Sequence, residues 1–370
     1  MFPPPSSPED GSVLRSRPLL VAFAASASLA LVLASSVAVA QSGDSDGDGV
    51  PDDLENATQR NVVAVAAGDS FDIQSRLASA PYEDQFEVFY QAGAFNVSYR
   101  RAGAGETSYT VELRSLVEWV DKNGNHRIDA NETANATALG SAAFAGVPVT
   151  KTQFENDDGG VINILRTHSQ TGDVTLNVTV AERFMRLGGR TLTPMEVKLD
   201  LSVNRLFAVM NRNLGLDVRI DTHANWEYTN RSWDDENGFA SDDAGINVTG
   251  GSPNAPSSVF FSWSKFAYAN GHQIPVTFSS FAGPGPSTSD IYLAYPYQMA
   301  PTETSVSLVH DPVLGVDSAA YEGIISRQPP LQGDALVYGV SLAAMAVLIG
   351  VTIVLANRRR KKREELGRNP

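Results

Sequence analysis

Two twelve-residue stretches, Asp44–Glu55 (DSDGDGVPDDLE) and Asp121–Glu132 (DKNGNHRIDANE), place oxygen-bearing groups at positions 1, 3, 5, 7, 9 and 12. A hard divalent cation such as Ca2+ takes six to eight oxygen ligands, and a loop of this length wraps it with that spacing. In the first stretch the donors are Asp44, Asp46, Asp48, the Val50 carbonyl, Asp52 and Glu55, with Gly49 at the sharp turn. In the second they are Asp121, Asn123, Asn125, the Arg127 carbonyl, Asp129 and Glu132, with His126 in the turn position. A non-glycine residue there pays for positive φ, although His is among the less averse. Fewer carboxylates, with Lys122 and Arg127 close by, predict weaker binding in the second loop.

These stretches resemble thrombospondin type 3 repeats and EF-hand or dockerin loops, with Ile128 in the hydrophobic position of an EF-hand loop. The resemblance covers only these residues and implies bound calcium in a structural rather than a sensing role. A sensor needs helices on both sides whose angle opens on binding, whereas alternation predicts a strand running into the second loop. A solvated acidic linker is the other reading of the first loop, and a metal-free polar turn that of the second. Asp234-Asp235-Glu236 and Asp242-Asp243 fit no calcium spacing and read as a solvated loop.

Evidence of export frames these loops. Pro18–Ala40 is an apolar run behind Arg15 and Arg17 and ends in Ala38-Val39-Ala40, the small-x-small pattern of a signal peptide; an uncleaved anchor is the alternative. Ala335–Ala356 carries no charge over twenty-two residues and is followed by Arg358, Arg359, Arg360, Lys361, Lys362 and Arg363. That pattern predicts one transmembrane helix with a basic cytoplasmic tail, hence a type I cell-membrane topology with the ectodomain extracellular. The expected layout is signal peptide 1–40, calcium-loop segment 41–59, β ectodomain 60–325, stalk 326–334, span 335–356 and tail 357–370. The tail carries +5 and the leader is neutral, so the chain's −14 leaves −19 for residues 41–334. So acidic a surface disfavours nucleic acid as a partner. There is no cysteine, which removes thiol chemistry and disulfides.

Seven Asn-x-Ser/Thr sequons, at Asn56, Asn96, Asn131, Asn135, Asn177, Asn230 and Asn247, all fall in the expected ectodomain and predict a glycosylated surface. Export, acidity, sequons and absence of cysteine together are similar to the make-up of archaeal cell-surface glycoproteins.

The elements that must position these groups read as strands. Tyr109 to Trp119, Val174 to Val180 and Val197 to Val203 alternate apolar and polar residues with period two. Asn177 and Asn96 fall on polar faces. Asn270-Gly271 predicts a hairpin between Phe260–Ala269 and His272–Phe281. The fold expected is mainly β, an antiparallel β-sandwich or jelly roll, with short helices only near Asn204–Asn213 and Ser75–Tyr82.

Catalytic signals are sparse. His126, His168, His223, His272 and His310 show no metal-ligand spacing, and no G-x-S-x-G or phosphate-binding glycine loop occurs. His310-Asp311-Pro312 reads as a turn after the last strand. Glu112, Glu118, Glu182, Asp200 and Asp221 offer carboxylates for glycoside hydrolysis, and Trp226, Trp233 and Trp263 with Tyr228 and Tyr268 offer a sugar-stacking platform. The function expected is a calcium-stabilised, membrane-anchored surface glycoprotein for adhesion, envelope organisation or ligand capture. Its partners would be a cell-envelope polymer, a glycan or another surface protein. A membrane-anchored carbohydrate-binding module or glycosidase is the alternative.

Overall fold

The computed structural model describes residues 43–45, 50–77, 84–101, 105–157, 159–187, 190–206, 212–222, 224–230, 233–234, 240–249, 257–285, 287–297, 303 and 305–318. The expected signal peptide, stalk, span and tail lie outside them. Among the described residues no helix is long and apolar enough to cross a membrane.

The described residues open with a helix, α1 (Asp52–Thr58), where none is expected from alternation. Pro51 precedes it, and Asp52, Asp53 and Glu55 in its first turn complement the helix dipole. Seven residues are too few to hold a helix alone. Tertiary contacts supply the rest: Val50 and Leu54 are buried, and the Phe184 N–H donates to Thr58 Oγ1 at 2.9 Å.

Strands β1 (Arg60–Ala67), β2 (Ser70–Leu77), β3 (Asp84–Gln91), β4 (Ala94–Arg101) and β5 (Gly105–Trp119) then form an antiparallel meander. Next come β6 (Thr133–Ala138), a single turn α2 (Ser141–Phe144), β7 (Thr150–Glu155), β8 (Val161–His168), β9 (Val174–Ala181) and a small hairpin, β10 (Met185–Leu187) with β11 (Arg190–Leu192). After β12 (Glu196–Leu206), β13 (Asn213–Asp221) and β14 (Asn225–Asn230) lies a minimal pair, β15 (Trp233–Asp234) and β16 (Ala240–Ser241). The described residues close with β17 (Asp243–Thr249), β18 (Ser257–Ser264), β19 (Phe266–Ala269), β20 (His272–Pro275), β21 (Thr277–Ala282), β22 (Thr288–Tyr295), β23 (Ser305–His310) and β24 (Pro312–Ser318).

Two large antiparallel sheets result. The first runs β1-β2-β3-β4-β5-β13-β22-β21, with β6 on the far half of β5. The second runs β14-β17-β18-β24-β12-β23-β19-β20, with β7, β8 and β9 joined to the other edge of β12. Strands β17, β18 and β24 lie against β4 and β5 of the first sheet. There the Tyr109 hydroxyl donates to the Phe260 carbonyl. A second tie uses Tyr295 of the first sheet and His310 of the second. The Ser264 carbonyl can only accept, so His310 Nε2 carries the proton (2.9 Å), and the Tyr295 hydroxyl donates to Nδ1 (3.0 Å).

All three alternating segments are strands with their apolar residues buried. The Asn270-Gly271 turn forms with φ of 48° and 81°, the positive pair a two-residue hairpin needs. Its arms are shorter than expected. Phe260–Ser264 belongs to β18, and the chain switches sheets after Val276, whose N–H donates to the Lys265 carbonyl at 2.6 Å. Two further expectations are corrected. Ser75–Leu77 and Asn204–Leu206 are strand ends rather than helix, because their pairing partners lie in neighbouring strands; residues 78–83 and 207–211 are outside the description. His310-Asp311-Pro312 is no final turn. Leu201↔His310 and Lys198↔Val313 keep one register along β12, and the ladder lapses only where Pro312 has no N–H to give.

Candidate calcium loops

The first loop is described only in part: Asp46, Asp48 and Gly49 lie outside the described residues. Of the remaining donors, Asp52 Oδ1 accepts from the Ser45 N–H at 2.9 Å and from its hydroxyl at 3.0 Å. The Asp52 N–H donates to the Gly43 carbonyl at 2.7 Å, so Asp44 sits inside a closed turn. Val50 and Glu55 are fully buried, Glu55 within the first turn of α1. The loop therefore runs straight into a helix seated in the fold, not into a free linker.

The second loop joins β5 to β6, and every donor position in it is described. The Asp121 carboxylate accepts the N–H of Gly124 (2.7 Å) and of His126 (3.0 Å), drawing the loop into a ring. Burial pushes this carboxyl up, but the His126 and Gly124 N–H groups and the His126 ring outweigh it and hold it below the ordinary value. Asn123 Oδ1 accepts from the Asn125 N–H (3.0 Å), and Asn125 Oδ1 from the Arg127 N–H (2.8 Å). Their amide nitrogens then meet at one oxygen, Asp129 Oδ2, at 2.7 and 3.1 Å. Glu132, buried at the loop's end, takes the Lys122 N–H (2.9 Å) and the Asp129 N–H (3.2 Å) on separate oxygens. His126 does adopt the costly conformation, φ 59°.

The loop is fastened by its hydrophobic position. Ile128 is buried with Val117, Trp119 and Ala294, and Tyr292 packs against the group. It fills the space above Gly215, where an added Cβ would stand 2.4 Å from its Cδ1. Two groups of β21 hold the loop's carbonyls: Thr277 Oγ1 donates to His126 O, and Ser279 Oγ to Ile128 O at 2.8 Å.

The donor set suits a hard cation. All six positions offer oxygen, and the side chains of positions 3, 5 and 9 already converge. Among the described residues, however, no three His, Asp or Glu side chains gather closely enough to hold a metal. Two of the second loop's donors are asparagine amides and one is a carbonyl. Asp121 and Glu132 are turned to backbone N–H groups.

Of the carboxylates considered for glycoside hydrolysis, Glu112 and Asp221 are diagonal neighbours on one face of the paired strands β5 and β13. Glu118 is buried against Arg212 at 2.9 Å. Asp200 shares Lys198 with Asp311, which faces it across the Pro312 gap. Asp221 takes the Ser287 hydroxyl at 2.8 Å, and burial raises the Glu182 carboxyl. Of the aromatic platform, Tyr228 and Tyr268 are exposed and only Trp263 is corrected. Trp263 is a core residue, stacked on Phe278 at 5.4 Å, with Tyr228 against both rings, 4.8 Å from Phe278 and 6.4 Å from Trp263. In a two-sheet β body without disulfides, so large an apolar surface is worth most when buried. No side-chain placement is described for Trp233.

Two groupings escaped the sequence reading. Glu87 and Glu106 join Asp221 along a groove on the outer face of β3–β5, and burial, then Asp72, raise the Glu87 carboxyl. Alternation in β3 would have turned Glu87 and Phe89 outward, had that strand been recognised. Asp217 is buried beside Arg114 (3.8 Å), and burial pushes its carboxyl up to about 6. No family model matches the chain, and no curated protein matches it.

Proposed function

We propose that this chain is an exported surface glycoprotein whose β body is braced by calcium at 44–55 and 121–132 and held on the membrane through residues 335–356. Its work is adhesion, envelope organisation or ligand capture by a sandwich-like ectodomain. The observation that carries the reading is the placement of the sequons. Asn56, Asn96, Asn131, Asn135 and Asn230 are exposed and Asn177 and Asn247 half-buried, so none of the seven is sealed in the core. An Asn-rich interior would not sort in this way. In the sequon at Asn56, Thr58 serves the fold as well, through the hydrogen bond to Phe184.

Calcium would be held in the second loop by Asp121, Asn123, Asn125, the Arg127 carbonyl, Asp129 and Glu132. There it would supply positive charge to three carboxylates, of which Asp121 and Glu132 otherwise lean on backbone N–H groups and Asp129 on the Asn123 and Asn125 amides. Extracellular modules of this kind work at roughly 10⁻⁴–10⁻³ M calcium, which suits a permanent strut outside a cell. The test is thermal unfolding of the full chain with calcium and with chelator, alongside protease accessibility in intact cells. A lower melting temperature on chelation with unchanged far-UV signal is expected, together with digestion from outside. An unmoved melting temperature removes the brace; protection from external protease removes the topology.

A further inference from the structure

On the outer face of the meander, a groove of about 480 Å³ is lined by Glu87, Phe89, Asn96, Ser98 and Glu106 and closed at one end by Asp221. Asn96 stands at mid-strand in β4, with Phe89 of β3 as its partner on one side and Thr110 of β5 on the other. The Thr110 hydroxyl donates to Asn96 Oδ1 at 2.8 Å. Since the carboxamide is planar, this turns Nδ2 away from β5. Phe89 keeps 37% of its surface exposed on the same face, an apolar ring beside hydroxyl and carboxylate acceptors.

We propose that Asn96 carries a glycan whose first sugar lies in this groove, its C–H face on the Phe89 ring and its hydroxyls on Glu87, Ser98 and Glu106. The proposal rests on the surface-glycoprotein reading and makes this glycan part of the domain's packing. Carboxylates accept from neutral sugar hydroxyls and repel anionic polymers, which fixes the ligand as an uncharged hexose or N-acetylhexosamine. A free saccharide would meet Asn96 in the groove lining, whereas an attached one is rooted there. In the modification, Asn96 Nδ2 forms a bond to the sugar's anomeric carbon. That carbon's bond to a phosphate oxygen of a lipid-linked donor breaks, the lipid phosphate leaves with the electron pair, and the Nδ2 proton passes to base.

The test uses full-length protein purified from its own membranes. Glycopeptide mass spectrometry reads occupancy at Asn96. Melting temperatures are compared for wild type, Asn96→Gln, Phe89→Leu and the double variant. The expected result is an occupied Asn96 and a Phe89→Leu loss that disappears in the Asn96→Gln background. Asn96 bare while other sequons are occupied, or equal Phe89→Leu losses in both backgrounds, overturns this inference alone. All seven sequons bare overturns the glycoprotein reading with it.

Discussion

The Asp44–Glu55 and Asp121–Glu132 loops carry the same kind of donors but are fastened to the fold by different means. The first is continued by α1, whose Leu54 and Thr58 dock it against the chain near Phe184. The second hangs between two strands and is seated by one side chain, Ile128, over a glycine. The first is the better match in residue types, with Gly49 at its turn. The second accepts a strained His126 and compensates with a hydrogen bond to Asp121 and hydrogen bonds from Thr277 and Ser279. Ligand spacing alone therefore does not show how either loop is seated. What surrounds position 8 matters as much as what occupies position 6.

The sharpest way to break the comparison is Ile128→Ala. It should lower stability by about 2–4 kcal/mol, the usual cost of truncating a well-packed aliphatic side chain. It should also weaken the calcium response. Leu54→Ala should cost a similar amount and leave the second loop's calcium midpoint in place. Calcium titrations of the melting temperature distinguish the two; equal midpoints in wild type and Ile128→Ala would show that the seat does not shape the loop.

A smaller effect separates the apolar seat from the charge beside it. Asp217 pairs in register with Tyr292, which packs on the Ile128 group. Its folded value of about 6 lies above the roughly 4 of an unfolded carboxyl. The folded state thus holds the extra proton between those limits, and stability falls as pH rises from about 4 to about 6. Asp217→Asn should raise stability by about 2–3 kcal/mol at pH 8 and leave it unchanged near pH 4. A pH-independent gain would assign the effect to packing instead.

The smallest expected change is His126→Gly. Relief of the positive φ should contribute about 1 kcal/mol, offset in part by the lost ring contact to Asp121. Calcium should bind more tightly, and a calorimetric titration reads the gain directly. Weaker binding would mean that the His126 ring does more for the loop than its backbone takes away.

Much of the β architecture is readable from alternation, because a strand buried on one side imposes period two. The β5, β9 and β12 patterns and the Asn270-Gly271 turn are of this kind. The outward placement of Asn96 and Asn177 follows from the same rule. What escapes is decided by distant partners. The helix α1 forms because Val50 and Leu54 find a pocket, not through its own length. Trp263 reads more readily as core than as surface platform, and β21 decides it by laying Phe278 over the ring. The groove at Asn96 needs β3, β4 and β5 in register at once, and the charge on Asp217 depends on Arg114 and Asp290 from two other strands.

The position of β24 has a mechanical consequence. This strand is flanked on both sides, by β18 through Ser257–Trp263 and by β12 through Glu196–Lys198. A load applied beyond Ser318 runs along the strand, so many backbone bonds on two neighbours resist it in shear rather than opening one by one. A body pulled through β24 would therefore resist force through an interior strand rather than an edge one.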